Sequence, residues 1–264
     1  MEEGEQQVIR DQVTAVWMNS DFIALGVSSG FKIFSLNPIK LIKYKDLGGG
    51  IGHIGLYSTD KIIWFVGGGE MPALPKNEFR LWDNQNDEQL LKIVMKSAIK
   101  QVWVKQDTIW IALIDTVWIY TLPHSEQIIK FDTVENTYGV LAVSQNEETN
   151  LAWFPGDKEH GELVIYDYSQ DKIQWKIAGD SKNEFFITSI ALSYLGNVLA
   201  VTSSEGWTIH IYETKTGTKL KDFTRGSTPA EFNFLSFQLD DTRLLVGSDT
   251  GTIHVFIVDS DIIK

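Results

Sequence analysis

Apolar and polar residues alternate along this chain in short runs that are separated by turn residues. A period of two is typical of β-strands, whose successive side chains point to opposite faces. Residues 187–192 and 198–202 are largely apolar on both faces, which predicts buried strands, whereas residues 219–223 alternate and carry charge, which predicts a solvated outer strand. No window shows a helical period with caps. The pattern therefore predicts an all-β protein.

One β-rich segment centred on an aromatic residue recurs six times, at spacings between 38 and 48 residues. This is the period of a four-stranded propeller blade. The anchoring aromatic residues are Phe34, Trp82, Tyr120, Tyr166, Tyr212 and Phe256. We therefore predict a single β-propeller domain over residues 1–264, made of four-stranded blades like those of WD repeats. The predicted units are 8–47, 51–95, 99–133, 138–178, 185–224 and 231–264.

Composition restricts the kinds of partner and site. The net charge of −12 argues against a general attraction to nucleic acid or to an anionic membrane, so binding of phosphate groups has to be local. The absence of cysteine excludes disulfides, thiolate metal sites and a cysteine nucleophile. Residues 1–7 are acidic and polar, unlike a signal or transit peptide, and no apolar run approaches the length of a membrane span. These features predict a cytoplasmic protein.

Patterns for catalysis, metal binding and nucleotide binding are missing from the sequence. The five histidines show no spacing typical of a metal site. Two glycine runs, 48–50 and 67–69, follow predicted strands but precede no helix, so they do not resemble nucleotide-binding phosphate loops. We therefore expect no catalytic residues, no metal and no cofactor, and we expect that the protein is not an enzyme.

A basic stretch, residues 219–226, ends in Arg225 and Gly226 and lies between two copies of one polar pattern. In each copy a serine is followed after four residues by a threonine and after two more by a histidine: Ser204, Thr208 and His210, then Ser248, Thr252 and His254. Hydroxyl and imidazole groups donate to phosphate oxygens, and arginine adds a charged planar fork. The alternative is that these side chains only join neighbouring blades. The paired copies around an arginine favour phosphate binding.

Residues 185–258 resemble the PROPPIN family, the phosphoinositide-binding propellers that include the WIPI proteins of autophagy. The family signature is Phe-Arg-Arg-Gly between blades five and six, and this chain has Phe223-Thr224-Arg225-Gly226. Further stretches similar to family sequence are residues 30–33, 66–69, 151–156, 227–231 and 251–256. The resemblance thus covers nearly the whole chain.

In the family, each signature arginine serves one phosphoinositide site, and alternation along an extended segment separates them. The resemblance implies a site two, on the side of blade six, consisting of Arg225, Gly226, Ser248, Thr252 and His254. It implies a site one, on the side of blade five, consisting of Ser203, Ser204, Gly206, Thr208, His210 and Thr224. Because Thr224 replaces the first arginine, we expect an intact site two and a weakened site one.

The resemblance implies ligands phosphorylated at the inositol 3-position, namely phosphatidylinositol 3-phosphate and phosphatidylinositol 3,5-bisphosphate. It also implies autophagy proteins as partners, no nucleic acid, and a peripheral location on autophagic, endosomal or vacuolar membranes. The alternative is a scaffold propeller for protein interactions whose lipid sites have decayed. Thr224 favours this alternative, whereas the complete residue set of site two opposes it.

The resemblance further implies seven blades, whereas six units are counted here and the seventh is missing. A six-unit ring either closes on itself or leaves apolar faces exposed on its first and last blades. Exposed apolar faces would favour self-association.

Overall fold

The computed structural model describes residues 11–57, 60–144, 146, 149–156, 163–177, 186–226 and 228–258. All regular secondary structure in this part of the chain is β-strand. Among these residues no helix is long and apolar enough to cross a bilayer. Residues 1–7, Ser227 and residues 259–264, which entered the predictions above, lie outside the described residues.

The described residues group into two compact units, and the first comprises the residues up to Ile99 together with Pro123–Ser125. It contains two four-stranded antiparallel sheets whose strands follow chain order. The first sheet consists of β1 (Val13–Met18), β2 (Phe22–Val27), β3 (Gly30–Leu36) and β4 (Ile39–Asp46). The second consists of β5 (Ile51–Tyr57), β6 (Ile62–Gly67), β7 (Glu78–Asp83) and β8 (Glu88–Val94).

The second unit comprises Lys100–Leu122 and the described residues from Glu126 onward, and it contains four further sheets. The third sheet consists of β9 (Gln101–Lys105), β10 (Thr108–Ala112), β11 (Thr116–Thr121) and β12 (Gln127–Asp132). The fourth consists of β13 (Ala142–Val143), β14 (Leu151–Pro155), β15 (Leu163–Asp167) and β16 (Lys172–Ile177). The fifth consists of β17 (Ile187–Leu192), β18 (Val198–Ser203), β19 (Thr208–Glu213) and β20 (Lys219–Thr224). The sixth has three described strands, β21 (Phe232–Phe237), β22 (Arg243–Ser248) and β23 (Ile253–Ile257).

The second strand is the most deeply buried in every sheet except the fourth, where all five residues of β15 are buried. In β10, for example, Ile109, Trp110, Ile111 and Ala112 are all inaccessible to solvent. In the fifth sheet the central strand β18 is more completely buried than β17, although both runs are apolar in sequence. Central strands gain cover from a neighbour on each side in the sheet and from packing on both faces, which explains their continuous apolar runs.

Apolar packing holds the fifth and sixth sheets together and fixes the region of the candidate site. Val198, Ile209 and Ile211 of the fifth sheet share one buried cluster with Leu244 and Val246 of the sixth. The rings of Phe223 and Phe256 stack in this cluster with their centroids 4.8 Å apart. The strand β20, which leads to Arg225, is therefore anchored against the sixth sheet.

Glycines at the end of β6 permit a close approach of backbone to backbone. A Cβ added at Gly67 would overlap the carbonyl oxygen of Leu74, and one added at Gly68 would overlap the backbone of Gly52. The glycine run 67–69 thus has a packing role, because it lets the connection from β6 to β7 lie on the start of β5.

We expect Gly67→Ala to destabilise the protein by about 2–3 kcal/mol, because the added methyl group meets a backbone atom that cannot rotate away. The midpoint of thermal or urea unfolding measures this loss. A matched control is Gly226→Ala, since a Cβ there would meet nothing within 4 Å. Equal midpoints for the two variants would contradict this account of Gly67.

Candidate functional site

Backbone pairing between β19 and β20 sets the position of Arg225. Thr208 lies opposite Thr224 at the end of this pairing. The N–H of Arg225 then donates to the carbonyl oxygen of Trp207 at 2.9 Å, which extends the pairing by one residue. Consecutive residues of an extended strand point to opposite sides, so Thr224 and Arg225 face apart.

The guanidinium of Arg225 lies against the turn between β22 and β23. Its Nη2 donates to Thr250 Oγ1 at 2.6 Å and to Thr252 Oγ1 at 3.4 Å, and its Nη1 donates to the carbonyl oxygen of Thr228 at 3.3 Å. The hydrogen-bond partners of the guanidinium among the described residues are thus all neutral oxygen atoms. The guanidinium forms no salt bridge with any described residue, and its Nε is buried without a hydrogen-bond partner among them.

Three hydroxyl groups converge at this turn. Ser248 Oγ lies 2.9 Å from Thr250 Oγ1 and 3.1 Å from Thr252 Oγ1, and the two threonine oxygens are 3.0 Å apart. Thr252 Oγ1 also lies 3.4 Å from His254 Nε2. We call Arg225, Ser248, Thr250, Thr252 and His254 the hydroxyl–arginine cluster. It offers several donors and one permanent positive charge, which is the chemistry that a phosphate group needs.

The turn itself brings these hydroxyls together. The N–H of Ser248 donates to the carbonyl of Thr252 at 3.2 Å, and the N–H of Gly251 donates to the carbonyl of Ser248 at 3.0 Å. Gly251 has a φ of +75°, a left-handed conformation that glycine adopts without strain. Residues 248, 250 and 252 are therefore folded around a single point.

Thr250 is the contact that the sequence analysis missed, although it accepts the shortest hydrogen bond from Arg225. The signal in the sequence is the run Ser248-Asp249-Thr250-Gly251-Thr252, in which hydroxyl residues recur every second position through a turn. The pattern that residues 248–254 share with residues 204–210 does not include this position, because Gly206 is the residue equivalent to Thr250.

Gly226 follows Arg225 in the chain and lies beside the cluster. Its φ is not in the left-handed region, and an added Cβ would meet nothing within 4 Å. The backbone freedom of glycine is therefore not required at this position. Gly226 instead leaves open space next to Arg225.

The residues predicted for site one do not form a comparable cluster. His210 Nδ1 lies 2.7 Å from Asp222 Oδ1, directly across from it in the pairing of β19 with β20. Asp222 Oδ2 also accepts from Lys219 Nζ at 2.8 Å. Burial raises the pKa of Asp222, but hydrogen bonds from Lys219 and His210 outweigh this effect and leave the pKa below its ordinary value. Since an ionised carboxylate only accepts, His210 is the donor.

Ser203, Ser204 and Gly206 lie elsewhere, in the lining of a cavity of about 350 Å³. The charged side chains in this lining are those of Glu231 and Asp249, both acidic. Ser204 Oγ already accepts a hydrogen bond from the N–H of Phe186 at 3.1 Å. An anionic phosphate would be repelled by these carboxylates.

Thr208 and Thr224 lie opposite each other at the end of β19 and β20, and neither lines the cavity. The six residues predicted for site one are thus divided between the cavity lining and the paired strands β19 and β20, whereas four of the five predicted for site two meet in one cluster. Within the described part of the chain, no group of three or more histidines and acidic residues could hold a metal ion.

Comparison with solved structures identifies the class of fold. Hsv2 of Kluyveromyces lactis matches with a TM-score of 0.77 at 18% identity, over 97% of this chain and 78% of that chain. A complex of KlAtg21 with the coiled-coil of AgAtg16 matches with a TM-score of 0.78 at 16% identity, over 94% of this chain and 81% of that chain. At such identities the likeness concerns the fold alone. The predicted β-propeller of four-stranded blades is confirmed.

A family model narrows this class. The PROPPIN model matches residues 15–262, and the chain therefore belongs to the PROPPIN family. Autophagy-related protein 18 of Dictyostelium discoideum is 29% identical over 91% of this chain and 64% of that protein. Autophagy-related protein 18 of Komagataella pastoris is 23% identical over 98% of this chain and 54% of that protein. The chain thus spans between half and two thirds of the length of these relatives.

The ion-pair network at Asp222 makes a prediction about pH. Because the pKa of Asp222 is lowered by folding, its stabilising effect is fully present above its unfolded pKa of about 3.9 and is lost as the pH falls through the lower folded value. We expect Asp222→Asn to lower the thermal midpoint at pH 7, and this difference from the parent to shrink as the pH falls below about 3.9.

Thermal unfolding between pH 7 and pH 3 tests this expectation. The control is Asp107→Asn at an exposed turn outside the network, which should stay near the parent at pH 7. A difference between Asp222→Asn and the parent that is the same at every pH would show that the charge of Asp222 is not involved.

Proposed function

We propose that this chain is a non-enzymatic phosphoinositide-binding propeller that docks on membranes carrying inositol lipids phosphorylated at the 3-position. In this proposal the hydroxyl–arginine cluster at site two binds the headgroup. Phosphatidylinositol 3-phosphate and phosphatidylinositol 3,5-bisphosphate are the expected ligands, as membership of the PROPPIN family suggests.

The proposal rests on the hydrogen-bonding environment of the Arg225 guanidinium. Its guanidinium is held in place by hydroxyl and carbonyl oxygens and forms no salt bridge with a described residue. A phosphate can therefore pair with it without first displacing a carboxylate. The hydroxyls of Ser248, Thr250 and Thr252 can rotate to donate to the same phosphate, because a hydroxyl hydrogen is free to reorient.

The net charge of −12 does not oppose this binding, because the field is screened beyond about 8 Å at physiological salt. What matters is the charge near the cluster. His254 adds a further donor at its edge, 3.4 Å from Thr252 Oγ1. Site two thus combines the charge of Arg225 with three hydroxyls, and it also contains one carboxylate, Asp249, which accepts a hydrogen bond from the N–H of Glu231.

We infer that site one binds phosphoinositides weakly. Thr224 supplies no charge, and the carboxylate of Asp222 occupies the imidazole of His210. The acidic lining of the neighbouring cavity adds to the unfavourable potential. Binding at site two alone would make membrane attachment depend on a single headgroup contact.

Autophagy proteins are the proposed partners, on autophagic, endosomal or vacuolar membranes. Support comes from the relatives, which are named autophagy-related protein 18, and from the solved complex of KlAtg21 with the coiled-coil of AgAtg16. A second candidate function, a protein-interaction scaffold with decayed lipid sites, is favoured by the Asp222–His210 pair at site one. Vesicle binding separates the two candidates.

Arg225→Ala is expected to weaken binding to vesicles containing phosphatidylinositol 3-phosphate by about 10- to 100-fold, because a charge-assisted contact contributes about 1.5–3 kcal/mol. Co-flotation of protein with vesicles measures the effect. The matched control is Arg243→Ala, which removes the same charge from an exposed position at the start of β22. Its binding should equal that of the parent.

Equal flotation of Arg225→Ala and the parent would refute the assignment of site two. A parent chain that fails to float with any phosphoinositide vesicle would favour the scaffold function instead. Thr250→Val, which keeps the shape of the side chain and removes its hydroxyl, should weaken binding by a smaller factor of about 5–10, since one neutral hydrogen bond contributes about 1 kcal/mol.

Site one should be recoverable by substitution. Asp222→Asn combined with Thr224→Arg removes the competing carboxylate and restores the arginine of the signature. We expect the number of bound headgroups to rise from one to two in calorimetric titration with soluble inositol 1,3-bisphosphate. A count of one in the double variant would show that the cavity carboxylates or other features keep site one closed.

A further inference from the structure

The cavity of about 350 Å³ that Ser203, Ser204 and Gly206 line is also bounded by Glu231 and Asp249. Among the described residues of its lining, these two carry the only charged side chains, and neither forms a salt bridge within the described part of the chain. The volume is in the range of small-molecule sites. By its charge this cavity attracts a cation and repels an anion.

Asp249 belongs to the turn that holds the hydroxyl–arginine cluster, but its carboxylate serves the cavity. The N–H of Asp249 donates to the carbonyl oxygen of Glu231 at 2.9 Å. In return, Asp249 Oδ1 accepts from the N–H of Glu231 at 3.2 Å, while Oδ2 has no partner among the described residues. Two reciprocal bonds therefore fix the acidic residues side by side in the cavity wall.

The fifth sheet makes the same reciprocal contact without a charge. The N–H of Ser204 donates to the carbonyl oxygen of Phe186 at 2.8 Å, and Ser204 Oγ accepts from the N–H of Phe186 at 3.1 Å. Ser204 thus does with a hydroxyl what Asp249 does with a carboxylate. Because a neutral oxygen is sufficient for this backbone contact, the charge of Asp249 is available to a ligand.

Thr188 adds a buried acceptor to the same cavity. Its side chain is only 8% exposed and lies 3.1 Å from Thr202 Oγ1. The hydroxyl of Thr202 donates its single hydrogen to the carbonyl oxygen of Ser189 at 3.2 Å, so Thr188 is the donor between the two threonines. The lone pairs of Thr188 Oγ1 consequently remain available to a donor in the cavity.

A close backbone contact builds the apolar part of the wall. Gly206 has a φ of +82°, and a Cβ added there would lie 2.7 Å from the carbonyl oxygen of Ala230. This approach lets the N–H of Ala230 donate to the carbonyl oxygen of Gly206 at 2.9 Å. Pro229 and Phe232 line the cavity beside this contact. Their apolar surface next to acceptors suits an aliphatic stem with a charged end.

We propose that this cavity binds an alkylammonium group, the chemistry of a lysine side chain or of a free aliphatic amine. An ammonium group has one positive charge and three N–H donors, which match the carboxylates of Glu231 and Asp249 and Oγ1 of Thr188. The alkyl stem lies along Pro229 and Phe232. The proposal concerns side chains outside the hydroxyl–arginine cluster, so it does not rest on headgroup binding at site two.

Nuclear magnetic resonance titration of the full chain with n-butylammonium chloride tests the proposal, against sodium chloride at equal ionic strength. We expect saturable shifts of the Ser204 and Gly206 amide signals with the amine alone. Asp249→Ser, which copies the neutral contact of Ser204, and Glu231→Gln should each weaken binding by about three- to fivefold, as expected for losing one exposed ion pair.

The matched control is Glu205→Gln, which removes the same charge from an exposed turn residue outside the described lining of the cavity. Its affinity for n-butylammonium should equal that of the parent. Two further probes distinguish the source of the ammonium group. Tighter binding of lysine capped at both ends than of 1,5-diaminopentane supports a lysine of a partner protein, and the reverse order supports a free amine.

Three results would each overturn the proposal: shifts no larger than those with sodium chloride, affinities of Asp249→Ser and Glu231→Gln that both equal the parent's, or equal binding of capped lysine whose side chain is acetylated and hence neutral. Ammonium binding and lipid binding can fail separately. Arg225→Ala, which is expected to lose vesicle binding, should still bind n-butylammonium, since Arg225 does not line the cavity.

Discussion

Burial of the central strands on both faces is the constraint on which the rest of the structure depends. Strands such as β10 and β18 have apolar side chains on both sides, and they are stable only between two packed layers. The polar side chains of the candidate region accordingly lie on the third and outer strands, at strand ends and in turns. Arg225 follows the last residue of an outer strand, and the hydroxyls that hold it lie in and beside a turn. The candidate functional region thus lies where side chains are no longer packed on both faces of a sheet.

Much of this could be predicted from the sequence, because it depends on local pattern. The period of two and the recurring aromatic residues predicted the strands and the class of fold, and the Phe-Thr-Arg-Gly signature pointed to Arg225. What could not be predicted is cross-strand register. Tyr212 lies opposite Lys219 near the hairpin turn. If the pairing continued regularly from there, Lys221 would lie opposite His210. An irregularity between Ile211 and Tyr212 shifts the pairing by one residue and places Asp222 there instead. One inserted residue thus replaces a cation with a carboxylate beside the histidine.

The predicted sites one and two contain similar types of residue. They differ mainly in which side chains the cross-strand register places next to one another. Each site has serine, threonine and histidine at the same spacing. On the side of the sixth sheet the hydroxyls meet around a guanidinium, whereas on the side of the fifth the histidine is already paired and the serines face a cavity with acidic walls. Residue type determines which chemistry is available, and neighbouring charges determine whether an anion can use it.

Asp222 can also be regarded as a competitor that is tethered to the protein. A group fixed by the chain next to its partner acts at an effective local concentration that a free molecule reaches only in the millimolar range or above. A phosphate approaching Nδ1 of His210 must therefore displace this carboxylate before it gains a contact there. The hydrogen bond between Asp222 and His210 would break if a neighbouring cation attracted the carboxylate of Asp222 more strongly. Lys219, which holds the other oxygen of that carboxylate, is the side chain placed to adjust this balance.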